Sequence, residues 1–236
     1  MKVLVTGGSG YIGSELVKVL REAGQTPIVF DIVADPRDDI RDEKRITEAI
    51  MGVETVYHLA SPCIVPDSIK DPWRYWDHIF RGTGNVANAC KNFNKRMVFT
   101  STQLASDAFR CQCCNQLQSP YAAAKREAEK FVESLPDAVT IRLPNIIDLE
   151  GKDPNDSRLF PRFNKMAREQ GVVRIFPPED TPVTLVEVHR CALNLLALLK
   201  EGAGTQTMNG EDLTIRQVAE RVAALHGVRV EIAQRK

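Results

Sequence analysis

Tyr121 and Lys125 stand four apart in Ser119-Pro120-Tyr121-Ala122-Ala123-Ala124-Lys125, on one face of a helix that begins at the proline. An ammonium there favours a phenolate and brings the Tyr pKa from about 10 toward working pH, so the pair can take up and release a proton. Upstream, Val98-Phe99-Thr100-Ser101-Thr102 reads as a strand ending in hydroxyls. A hydroxyl at that place can hydrogen-bond the oxygen that Tyr121 protonates or deprotonates. Near the start of the chain, Val3-Leu4-Val5 runs through Thr6 into Gly7-Gly8-Ser9-Gly10-Tyr11-Ile12-Gly13. Glycines let a backbone turn tightly against phosphate, and the N–H groups of a following helix point at the negative charge. Two templates fit, Gly8-x-Gly10-x-x-Gly13 and Gly7-x-x-Gly10-x-x-Gly13. The amphipathic helix that follows (Ile12, Leu16, Val19, Leu20, Ala23) closes at Gly24. Strand, turn and helix together predict a dinucleotide pyrophosphate site.

Asp31 follows the second apolar run, 18 residues past Gly13, where a carboxylate accepts both adenosine ribose hydroxyls and repels a 2′-phosphate. The nearest cation is Arg37, so the expected cofactor is NAD(H) rather than NADP(H). Lys125 can then also hydrogen-bond the nicotinamide ribose.

The elements needed to hold these groups alternate along the chain. Strands are predicted over Val3–Val5, Pro27–Asp31, Val53–Ala60, Arg96–Ser101 and Ala138–Leu143. Helices are predicted after the glycine turn and over Glu43–Met51, Pro72–Phe93 and Pro120–Leu135. This βα alternation implies a Rossmann-type α/β fold, a doubly wound parallel sheet with helices on both faces and right-handed crossovers. After about Pro144 the rhythm changes. Asp148–Ser157 reads as a polar loop, Arg158–Gln170 as a helix, Val172–Phe176 as extended, and Leu185–Leu199 as an apolar helix. Thr214-Ile215-Arg216-Gln217 has capping-box spacing before a stripe of Val218, Val222 and Leu225. The expected organisation is a dinucleotide-binding domain over 1–147 and a small, shortened C-terminal substrate lobe over 148–236, interleaved with the first or joined to it in one compact unit.

At 236 residues, 43% hydrophobic, the chain can bury a full core without disulfides. Lys and Arg total 31 and Asp and Glu 31, which argues against a dedicated nucleic-acid binder. With no membrane-length apolar run and no leader before Val3, a cytoplasmic protein is expected. The six cysteines, Cys63, Cys90, Cys111, Cys113, Cys114 and Cys191, are accordingly expected to be reduced. Four zinc ligands do not gather around Cys111-Gln112-Cys113-Cys114 in sequence, so these are read as loop thiols and no metal is expected.

Thr-Gly-Gly-x-Gly-Tyr-Ile-Gly, Asp31, His58-Leu59-Ala60-Ser61, Phe99-Thr100-Ser101-Thr102, Tyr121-x-x-x-Lys125, Arg142-Leu143-Pro144-Asn145, Asn209-Gly210 and Leu213-Thr214-Ile215 together resemble the extended short-chain dehydrogenase/reductases, the NAD-dependent epimerase/dehydratase family. The resemblance covers most of the chain. It implies that Gly7, Gly10 and Gly13, with Tyr11 and Ile12, hold the pyrophosphate, Asp31 the adenosine ribose, and Asp39-Ile40 the adenine edge. Leu59-Ala60-Ser61 would line the cofactor cleft. Thr102, Tyr121 and Lys125 would be the catalytic set, with Ser101 as fallback for Thr102, and Pro144-Asn145 would lie between nicotinamide and substrate. It further implies a homodimer pairing helices 72–93 and 120–135. Family dehydratases usually follow the catalytic Thr with an Asp-Glu pair. Here Gln103-Leu104 follows Thr102, which disfavours dehydration. The cysteine-bearing stretch between Thr102 and Tyr121 would border the substrate mouth. The expected function is hydride transfer between nicotinamide and a hydroxyl-bearing carbon, first of a sugar nucleotide, as an epimerase or oxidoreductase. The alternatives are reduction or oxidation of a non-nucleotide carbonyl compound, and a non-catalytic NAD-binding sensor or scaffold.

Overall fold

Val3, Leu4 and Val5 are all buried, because a strand paired on both edges and covered on both faces has no solvent side toward which to alternate. They form β1 (Lys2–Thr6). The chain continues through α1 (Tyr11–Glu22), β2 (Thr26–Phe30), α2 (Glu43–Met51), β3 (Thr55–His58), α3 (Val65–Lys70), α4 (Pro72–Trp76), α5 (Gly82–Asn92), β4 (Arg96–Thr102), α6 (Pro120–Glu133) and β5 (Ala138–Leu143). Then come β6 (Asn145–Ile147), α7 (Leu159–Gln170), β7 (Val172–Ile175), β8 (Pro182–Glu187), α8 (Val188–Ala197), β9 (Gly204–Thr207), β10 (Glu211–Thr214), α9 (Ile215–His226) and β11 (Arg229–Ile232). This computed structural model describes residues 1–148 and 158–234; apart from Asp148, the polar loop expected over 148–157 lies outside them.

Six strands form one parallel sheet in the order β2-β1-β3-β4-β5-β9. The winding reverses at β1, which has β2 on one side and β3 on the other. In open α/β sheets the crevice at that switch point receives the ligand. The expected α/β Rossmann-type sheet is therefore present.

Contacts divide the chain into two units, Met1–Leu143 with His189–Met208, and Pro144–Val188 with Asn209–Lys236. The division lies after Leu143 rather than at 147, and residues 189–208 belong with the first unit. Their return has clear causes. β9 pairs with β5, the Tyr57 hydroxyl donates to the Leu195 carbonyl at 2.9 Å, and Cys191, Ala192 and Leu195 are fully buried. In the second unit β8 lies between β10 and β6, β7 pairs with β11, and α7 and α9 share a core of Phe160, Phe163, Val173, Leu185, Val218 and Val222. The Thr214–Gln217 capping box forms, and Gly227 ends α9 at φ +64°.

Three expectations are corrected. The helix expected from Leu185 begins at Val188, because Leu185 and Val186 lie buried in the central strand β8; a short apolar run does not distinguish a buried strand from a helix start. The strand expected over Val53–Ala60 is limited to Thr55–His58. The single helix expected over Pro72–Phe93 keeps helical backbone to Asn92 but contains a π-helical turn at Asp77–Arg81. Among the described residues, no helix is long and apolar enough to cross a membrane.

Candidate active site

Gly7 takes φ +73°, and a Cβ there would lie 2.7 Å from the Ala60 nitrogen. A Cβ on Gly13 would overlap the Gly7 carbonyl oxygen. The Gly7-x-x-Gly10-x-x-Gly13 template thus describes the turn, packed on Leu59-Ala60 of the neighbouring strand's exit. Gly10 caps α1 without a side-chain acceptor, and the first turn, which contains Tyr11 and Ile12, has no acidic residue. The start of this helix therefore brings no acidic side chain of its own to the end whose dipole favours an anion. Asp31 follows β2 directly, with one carboxylate oxygen accepting from the Ser9 N–H and the other from the Val33 N–H, both at 2.9 Å. It ties the β2 end to the glycine turn. These residues could hold a dinucleotide, the close-packed glycine turn leaving no side chain in the way of a pyrophosphate and Asp31 standing at the end of the neighbouring strand.

The other expected cofactor residues differ in how they are engaged. Leu59 N–H donates to the Thr6 carbonyl at 3.0 Å and Ala60 N–H to the Thr6 hydroxyl at 3.4 Å; Ser61 follows, half-buried. Ile40 is buried, and its carbonyl accepts from Asn85 at 3.1 Å. The Asp39 carboxylate is taken up by Arg41, whose Nη2 approaches to 2.6 Å, and this guanidinium holds its pKa below the usual carboxylate range. The adenine contact implied for Asp39 must compete with that ion pair.

The three hydroxyls at the end of β4 have different partners. Thr100 donates to the His58 carbonyl at 3.2 Å, and Ser101 donates to Glu129 at 2.5 Å. Thr102 accepts from the Leu104 N–H at 3.3 Å, which leaves its own proton to donate. Helix α6 starts where the sequence predicted, with the Ser119 hydroxyl accepting from the Ala122 N–H at 3.1 Å and Pro120 in the first turn. It carries Tyr121 and Lys125, both buried. Lys125 Nζ donates to the Thr100 carbonyl at 2.8 Å and sits 4.7 Å from the Phe99 ring centroid. Burial pushes its pKa down to about 8, against the opposing influence of Cys63 and Glu129. The Tyr121 ring meets Tyr75 edge-on at 6.3 Å, and the Tyr75 hydroxyl clamps Ile64, donating to its carbonyl at 2.7 Å and accepting from its N–H at 3.0 Å. Thr102, Tyr121 and Lys125 thus belong to one unit. Pro144 and Asn145 open the other, where Asn145 donates to the Thr184 carbonyl at 3.4 Å.

Supporting residues emerge to which the sequence reading assigned no role. Glu129 is 1% exposed and receives Ser101 and two Arg142 contacts, at 2.9 and 2.7 Å. His58 lies buried between the Thr6 and Thr83 hydroxyls, at 2.7 and 3.0 Å, and stacks on Phe99. Desolvation, then the Lys125 charge, takes its pKa down to about 3, so it is neutral. Glu129 has a helical-spacing signal, one turn beyond Lys125 on the same face; Tyr75 and His58 have none. The loop thiols also come together, with Cys111, Cys113 and Cys114 sulfurs all within 4.8 Å of one another.

Residues 3–207 match the profile described as the NAD dependent epimerase/dehydratase family. The 2-alkyl-3-oxoalkanoate reductase of Stenotrophomonas maltophilia is 29% identical over 96% of this chain and 76% of its own length. The UDP-glucose 4-epimerase of Halalkalibacterium halodurans is 27% identical over the whole of this chain and 84% of its own. The crystal structure of the Thermus thermophilus UDP-glucose 4-epimerase in complex with NAD superposes with a TM-score of 0.80 at 25% identity, covering 99% of this chain and 86% of that one. The chain belongs to the NAD dependent epimerase/dehydratase family, and its cofactor is NAD.

Proposed function

We propose that this protein moves a hydride between nicotinamide and a hydroxyl-bearing carbon of a small molecule, with Tyr121 as the general acid–base. The observation that carries this reading is the pairing at the start of α6: Tyr121 is buried, and one turn on Lys125 is held on the Thr100 carbonyl at 2.8 Å. The bound cofactor would supply the hydride acceptor and donor for the substrate carbon. Tyr121 removes the hydroxyl proton as the carbonyl forms and gives it back in reduction. The Lys125 ammonium favours the phenolate and would hold the nicotinamide ribose when NAD is bound, while Thr102 would donate its proton to the substrate oxygen. Pro144 and Asn145 keep the role that the family resemblance implies for them. Asp31 supports NAD over NADP, since a ribose phosphate there would face a carboxylate. Gln103 and Leu104, in place of an acid pair, weigh against dehydration.

A sugar nucleotide is the first substrate class, supported by the UDP-glucose 4-epimerases among the relatives. A second reading, reduction of a 3-oxo acid, rests on the reductase aligned over 96% of the chain. Incubation with NAD and UDP-glucose or UDP-galactose, and separately with NADH and a 2-alkyl-3-oxoalkanoate, distinguishes them. Interconversion of the sugars supports the first, NADH consumption the second, and NAD binding without any turnover in a wider panel returns the sensor reading.

A homodimer through helices 72–93 and 120–135 fits the aromatic row there: Trp73 is 80% exposed, Trp76 stacks on Phe80, and Phe80 meets Phe131. Six free thiols fit a reducing cytoplasm.

A further inference from the structure

The loop joining Thr102 to α6 is closed on itself. Arg110 bridges Leu117, the Cys111 N–H donates to the Gln116 carbonyl, and the Asn115 N–H donates to the Cys111 carbonyl, both at 2.8 Å. Arg110 adds a bond to the Asn115 carbonyl, also at 2.8 Å. Asn115 turns the chain with φ +55°, a conformation that asparagine tolerates better than most side chains. Inside this turn lie Cys111, Cys113 and Cys114. Cys111 and Cys114 have the Cys-x-x-Cys spacing of zinc knuckles. Cys113 Sγ lies 2.7 Å from Cys111 Sγ.

We propose that Cys111, Cys113 and Cys114 form a zinc site of three thiolates, completed by water, that clips the loop between Thr102 and the helix carrying Tyr121 and Lys125. Three sulfurs about 2.3 Å from a tetrahedral zinc lie about 3.8 Å from one another. The sulfurs here, 2.7 Å apart at one pair and all within 4.8 Å, reach that arrangement by movements of about 1 Å. Each thiol loses its proton to solvent as its Zn–S bond forms, so no electron changes hands. Among the described residues no other group of three His, Cys, Asp or Glu side chains converges in this way. Thiolates select zinc over the oxygen-seeking cations. The water position leaves the ion at the surface, where Cys113 and Cys114 are exposed.

The test uses the full chain, reduced and freed of metal, titrated with Zn(II) against a chromophoric chelator and with Co(II) followed by its thiolate charge-transfer absorption. One equivalent of either ion is expected, with the thiolate band for cobalt and protection of the three thiols from alkylation. The Cys111→Ser/Cys113→Ser/Cys114→Ser variant should lose about a hundredfold or more in zinc affinity while binding NAD as the parent does. Cys63→Ser should keep the zinc. Parent and triple variant binding zinc equally, or cobalt binding without the thiolate band, would overturn the site.

Discussion

Replacing Lys125 by methionine keeps a long buried stem but removes an ammonium that the fold holds out of water. In the folded protein this group titrates at about 8, against an ordinary value of 10.5, because burial disfavours its charge. The sign follows from proton counting. Below pH 8 both folded and unfolded chains carry the proton, so stability does not depend on it. Between 8 and 10.5 the unfolded chain still holds a proton that the folded one has released, and stability rises with pH. The slope approaches about 1.4 kcal/mol per pH unit, and across the window the gain is about 3 kcal/mol. Urea unfolding of parent and Lys125→Met at pH 7.5, 9 and 10.5 isolates the term, because other alkaline titrations cancel in the difference. The parent-minus-variant stability should climb by about 3 kcal/mol. A difference that stays flat refutes the buried ammonium. The same titration should make kcat/KM fall about tenfold per pH unit above 8, as the charge favouring phenolate is lost.

Three other perturbations follow from the site's supports. Gly13→Ala forces a Cβ into the Gly7 carbonyl, and NAD affinity by isothermal titration should drop at least about tenfold, or about 1.4 kcal/mol; unchanged affinity would mean that the turn yields freely. Glu129→Gln leaves Arg142 without its buried counter-charge, at about 3 kcal/mol, which lowers Tm by about 6–12 °C in a chain of this size; a drop under about 2 °C would show the network to be slack. His58 is neutral in the fold down to about pH 3, so unfolded chains bind its proton first, and stability falls as pH drops from 6.5 toward 3. His58→Asn should remove about 1.4 kcal/mol per pH unit from that acid limb, read by urea unfolding, and an unaltered limb would place the titration elsewhere.

The parts of the site legible in sequence are those encoded over a few residues. The glycine turn is a strand, a turn and a helix in succession, and Tyr121 with Lys125 is a helical spacing behind a Ser-Pro helix start. What stayed hidden depends on distant partners. His58 finds Thr83 across 25 residues, and Tyr75 reaches back 11 to Ile64. The choice among the β4 hydroxyls likewise rests on Glu129, which takes Ser101 and leaves Thr102 its proton. β9 escaped because Gly204–Thr207 is exposed and polar, and only its pairing with β5 makes it a strand. Asp39 was assigned by resemblance alone, and the adjacent Arg41 alters what its carboxylate is free to do. The thiols of 111–114 stand together in sequence, but the turn at Asn115 and the convergence of their sulfurs are not legible there.

The central claim is that Tyr121 carries the proton of a hydride transfer. Tyr121→Phe keeps the buried ring and its edge-on packing with Tyr75 while removing the hydroxyl. On whichever substrate the parent turns over, the variant's kcat should fall about a hundredfold or more, with NAD affinity measured in parallel unchanged. Turnover by Tyr121→Phe at the parent's rate would contradict the account.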